Sequence, residues 1–164
     1  MIFAHSITGV FTTTKPDQTV RLCCHSEYIR SCYIADEDKV IRKLDDDILY
    51  TFQDAGDHKV IFEIKDYRKT LAGMFAFCFG LTAVKFNEDS LEYVEDVRGM
   101  FAMTALSEMD LSACRKNQIQ EMAYMFAGCE KLEKCKIGNL PLKKKDVNDV
   151  FRGCNKNIRI TRYD

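Results

Sequence analysis

The chain has 164 residues, 46% hydrophobic and 30% charged, with a formal net charge of −1 at pH 7. Disordered chains are poorer in apolar residues, and strong nucleic-acid binders carry a larger charge imbalance. No run approaches the roughly 18 apolar residues of a membrane-spanning helix, so the expectation is one ordinary domain or two small ones.

Residues 1–66 read as strands. Short runs rich in β-formers (SITGVFTTT, TVRLCC, EYIRSCYI, KVIRKL, ILYTF and HKVIFEI) are separated by the polar breaks KPDQ, DEDK, DDD and QDAGD. Strands at that spacing predict a small antiparallel β-sandwich. Its first residues, MIFAHSITGVFTTTKPD, lack a basic segment followed by an apolar one, so no signal peptide is visible. The expected setting is cytoplasmic or assembly-associated as the sequence stands, and the cell surface for a mature fragment.

Several residues here have metal-like or catalytic composition. Cys23, Cys24, His25 and Cys32 lie close in sequence, but adjacent strand residues point to opposite faces, which predicts one core and one exposed cysteine rather than a metal site. The acidic runs 36–38 and 45–47 lack the D-x-D-x-D-G calcium pattern and read as solvated turns. His58 opens a strand and has no visible catalytic partner set.

The second half repeats itself. Met74-Phe75, Met100-Phe101, Met125-Phe126 and Val150-Phe151 anchor units spaced by 26, 25 and 25 residues. Four residues past the anchors stand Cys78, Thr104, Cys129 and Cys154. Apolar triplets follow at Leu81, Val84 and Phe86, at Leu106, Met109 and Leu111, and at Leu132, Cys135 and Ile137. The triplets end in alternation, which suits a half-buried strand. Leu91, Val94, Val97, Met100 and Phe101 then form a one-sided stripe, repeated by Ile119, Met122, Met125 and Phe126, and predict short helices. One such unit cannot bury its apolar face alone, so stacked units share a core and form a solenoid with a parallel sheet. Several of the eight cysteines fall on repeat-equivalent apolar positions, and the cysteines read as reduced thiols.

MFAGCEKLEKCKIG and MFAFCFGLTAVKF resemble the MF-x-x-C-x-x-L units of BspA-type leucine-rich repeat proteins. YTFQDAGDHKVIF looks like the closing strands of PKD-type immunoglobulin-like domains. Together the resemblances imply a sandwich over 1–66 that caps repeats over 67–164.

The expected fold is therefore mixed α and β: a small antiparallel sandwich, then a short leucine-rich-repeat-type solenoid with a parallel sheet and short helices. No P-loop, GxGxxG, GxSxG, HExxH or CxxC motif occurs. The expected function is a non-enzymatic binding module without cofactor or metal. It recognises a protein or glycan on the solenoid surface, and the resemblance implies a role in surface attachment. A structural component of a bacterial, phage or envelope assembly is the alternative. Candidate contact residues face outward from the repeat strands: Lys85, Asn87, Glu108, Asp110, Lys134, Lys136 and Arg159. Residues 129–164 hold ten Lys/Arg against five Asp/Glu, but no aromatic stacking platform accompanies them, so nucleic acid is not an expected partner.

Overall fold

The computed structural model describes residues 5–42 and 45–162. Strict alternation builds its first strand, β1 (Ser6–Thr13), in which Ile7, Phe11 and Thr13 are buried and their neighbours half-exposed. The other five stretches read as strands follow as β2 (Gln18–Cys23), β3 (Ile29–Ile34), β4 (Lys39–Ile41), β5 (Ile48–Phe52) and β6 (Gly56–Ile64). Lys43 and Leu44, at the end of the KVIRKL run, lie outside the described residues.

The chain is mostly β. A five-stranded antiparallel sheet has the order β4-β3-β6-β1-β7, where β7 is Leu81–Phe86. β2 and β5 form a separate antiparallel pair, which reaches the larger sheet through the Phe52 ring stacked on His58 at 3.9 Å. β8 (Glu108–Asp110), β9 (Lys134–Lys136) and β10 (Arg159–Thr161) form a three-stranded parallel sheet in the order β10-β9-β8. Its rungs join equivalent repeat positions: Met109 opposite Cys135, and Cys135 opposite Ile160.

Two expectations change. The strand of the first unit was expected to open the parallel sheet. Instead β7 pairs antiparallel with β1, matching Ile7 with Phe86 and Val10 with Ala83. β7 is six residues long, whereas β8, β9 and β10 have three each, and β1 would otherwise be an uncovered edge. Sheet sharing thus joins the first repeat unit to the N-terminal strands.

The expected helices over 91–101 and 119–126 are turns. The single α-helix among the described residues is α1 (Val147–Val150). The backbone explains this. Each unit carries left-handed residues around its anchor: Gly73 and Phe77, Gly99 and Met103, then Tyr124 and Gly128. Left-handed residues end a helix. Alternate amides bond to the next unit, Phe75 N–H to Met100, Phe101 N–H to Met125, and Phe126 N–H to Val150, at 2.8–2.9 Å, and those between them reach back three residues rather than four. The apolar stripe is buried all the same. Phe75, Phe101, Phe126 and Phe151 stack nearly parallel, with centroids 5.6, 5.6 and 5.3 Å apart. One hydrophobic cluster runs from Ile7 to Phe151.

Candidate functional site

The outward positions of the parallel sheet form charged rows across the strands. Lys134 Nζ lies 2.8 Å from Glu108, and Lys136 Nζ lies 3.9 Å from Asp110. Arg159 stands in register with Lys134. Lys134 and Arg159 line a shallow hollow of about 290 Å³ with Glu133, Asn155 and Asn157. Five of the seven candidate residues therefore share one face. Lys85 and Asn87 do not join their rows. Lys85 is exposed on β7 in register with Thr8, and the Asn87 carboxamide is held by the Ser6 N–H and the Ser90 hydroxyl. The rows largely neutralise themselves, because each acid of β8 faces a lysine of β9.

A more site-like feature lies where the N-terminal strands meet the repeats. A groove of about 510 Å³ runs between β2 and the turn 77–80. Val20, Arg21, Leu49, Phe77, Phe79 and Lys131 are among the residues that line it. Leu49, Phe77 and Phe79 are 60%, 49% and 66% exposed, uncommon for such large apolar side chains gathered at one place. The Phe77 and Phe79 rings meet edge to face at 6.3 Å. Threonine pairs flank them: Thr12 and Thr82 hydroxyls 2.8 Å apart, and Thr19 and Thr51 2.7 Å apart.

Arg21 supplies charge to this groove. Its Nη2 lies 3.2 Å from Asp47, while its Nε is buried without a hydrogen-bond partner among the described residues. The Cys24 thiol donates to the Ala76 carbonyl at 2.7 Å. Its pKa is lowered, first by the hydrogen bond from Cys78, with the Arg21 charge adding to it.

Phe77 and Phe79 were not singled out from sequence, although a signal exists. Three and five residues past the anchors, the first unit has Phe77 and Phe79, where later units have Met103 and Ala105, Gly128 and Glu130, and Gly153 and Asn155. Phe79 is a large apolar residue on a column that is small or polar in every later unit, and Phe77 on one that ends in two glycines, which points to a surface used for something other than packing.

The other constellations are structural. His58 Nδ1 lies 3.0 Å from Asp36 and Nε2 lies 3.0 Å from the Thr13 hydroxyl, a hydroxyl–imidazole–carboxylate chain. Thr13 is 3% exposed, and its hydroxyl also accepts from the Gly56 N–H. The chain thus ties β1, β6 and the 35–38 turn together and offers no accessible nucleophile. Cys23, the last residue of β2, is buried, and Cys24, just past its end, is half-buried. Among the described residues, no group of three or more His, Cys, Asp or Glu side chains is placed to hold a metal ion.

The cysteine column also divides. Cys78 contacts Cys24, whereas Cys129 sits beside Cys154 and lies 3.3 Å from the Thr104 hydroxyl. Cys129 and Cys154 donate to the carbonyls of Phe101 and Phe126, at 3.0 and 2.9 Å. No helix is long and apolar enough to cross a membrane among the described residues. Comparison with family models, curated proteins and solved structures returns no match.

Proposed function

We propose that the protein is a non-enzymatic binding module: a short leucine-rich-type solenoid over residues 67–164, capped by an immunoglobulin-like sandwich over 1–66. The junction groove is its principal contact surface, and its partner is a protein or glycan. The observation that carries this reading is Phe77. It is exposed and held in the left-handed region at φ 59°, a conformation that costs a non-glycine residue about 1–2 kcal/mol. Met103 and Tyr124 share this backbone and are 41% and 44% exposed, but Met103 packs over Gly128. Phe77 instead presents its ring to an open groove, and exposed strain of this kind is characteristic of functional sites. The charged rows of β8 and β9 supply a secondary contact face. The similarity to BspA-type units supports an attachment role.

The test compares two variants in binding to host extracts and to a glycan array. One is Phe79→Asp, at a position exposed enough to leave the fold intact. The other reverses Lys85, Asp110 and Lys136 together. Loss of binding in Phe79→Asp alone is the expected result. Loss only in the triple reversal moves the site to Lys85 or the charged rows, and unchanged binding in both removes the proposal.

A further inference from the structure

We propose that the junction groove takes an extended peptide segment, which adds as a strand to the free edge of β2 and carries an apolar side chain together with an acidic one. This rests on the binding-module reading and names the ligand of that same groove.

The free edge comes first. β2 has β5 as its only ladder partner among the described residues. The Asp17 N–H bonds to the Gln53 carbonyl, and antiparallel pairing alternates which residues face the partner. Residues 17, 19 and 21 therefore turn their backbone groups toward β5. Gln18 and Val20 turn theirs away from β5 and line the groove, with Val20 only 7% exposed and Leu22 beyond it fully buried. The open edge is therefore short, and its amides and carbonyls are a template for a short extended chain. A helix has no backbone groups to offer such an edge, and with side chains it is about 10–12 Å across.

The walls name the side chains. Phe77, Phe79 and Leu49 form an apolar rim around the edge strand. An extended chain sends alternate side chains to opposite faces, so one apolar residue enters the rim while its neighbours face solvent or the threonines. The charge is cationic. Arg21, partly exposed and paired with Asp47 through Nη2, and the exposed Lys131 both line the groove. An acidic side chain on the peptide pairs with Lys131, whereas a basic one meets two cations.

The probe is a phage-displayed library of linear hexapeptides selected on the full chain, with the Phe79→Asp chain for counter-selection. The strongest peptide is then synthesised end-blocked in three forms: unmodified, and N-methylated at alternate residues in each of the two registers. N-methylation removes amide donors and leaves the side chains unchanged. The expected result is a selected peptide with alternating apolar residues and at least one Asp or Glu. Its affinity falls at least tenfold in one methylated register and less than twofold in the other. Replacing its acid by Gln or Asn costs at least fivefold, and less than that in the Lys131→Ala chain.

Equal binding by all three forms, still lost in Phe79→Asp, overturns strand addition and leaves the groove reading standing. Selection that enriches nothing over the counter-selecting chain overturns the peptide ligand. Host-extract and glycan-array binding then decides the module reading separately. A concentration-dependent dimer that Phe79→Asp abolishes also overturns the proposal, because a second copy then occupies the edge.

Discussion

A Cβ atom added to Gly128 would stand 2.2 Å from the Met103 sulfur, so the side chain of one repeat unit lies over the bare backbone of the next. Gly128 also has φ 71°. Two separate costs therefore attach to Gly128→Ala. The left-handed backbone costs about 1–2 kcal/mol, and turning Met103 off its site adds roughly 0.5–1 kcal/mol. Gly99, at φ 61°, has nothing within 4 Å of its added Cβ. Gly99→Ala carries only the first cost. Urea melts of the two variants, alone and combined with Met103→Ala, test this. Met103→Ala should bring the two glycine substitutions to the same loss; a persistent gap means the clash is not the cause.

Phe101 lies in the middle of the ring stack and is fully buried between Phe75 and Phe126. Phe101→Ala is expected to cost about 3–5 kcal/mol, the range for removing a large aromatic from a core. A loss under about 1 kcal/mol on urea unfolding would contradict the ring stack as the structural spine.

Buried thiols make the fold sensitive to alkali. Burial pushes the Cys32 thiol up to about 11, and Cys23, Cys114 and Cys135 up to about 12. In the unfolded chain these thiols titrate near 8.5. Above that pH the unfolded state sheds protons that the native state keeps, so stability falls with rising pH. Each such thiol contributes a slope of up to about 1.4 kcal/mol per pH unit between the two pKa values. Cys129 acts in the opposite direction. The neighbouring Cys154 thiol holds it down at about 7, so on its own it adds stability as pH rises from there toward 8.5. The larger number of raised thiols dominates, and urea midpoints should drop steeply between pH 8.5 and 11. A flat profile to pH 10.5 would contradict the buried neutral thiols. A thiolate titration at 240 nm should show an early-ionising thiol that moves to higher pH in Cys154→Ala.

The Lys134–Glu108 pair should matter little for folding. Its side chains are 55% and 63% exposed, and exposed pairs contribute about 0–1 kcal/mol, less as salt screens them. Lys134→Ala is expected to lose under about 1 kcal/mol in low salt and close to nothing at 1 M NaCl. A larger, salt-independent loss would mean that Lys134 packs rather than pairs.

Much of the architecture was legible because it follows from local alternation and repetition. Period-two patterning marked β1 to β6. The anchor columns marked which phenylalanines stack and which triplet residues share rungs, since stacked units must bury equivalent positions against one another. Three things were not legible. The stripe over 91–101 has helical spacing, yet alternate amides of these turns bond to the neighbouring unit, and that neighbour exists only in the tertiary structure. β7 carries the same triplet as the later units, but whether it pairs with β8 or with β1 depends on which edge lies nearest. The groove unites Arg21, Leu49, Phe79 and Lys131 from four separate stretches of chain. By itself the sequence determined the strands, the repeat period and the buried columns, because these are set by residues close along the chain or one period apart. Only the tertiary structure decided where the first repeat strand docks, that turns replace helices, and that two exposed phenylalanines border an open sheet edge, because each depends on contacts between segments whose separation follows no period.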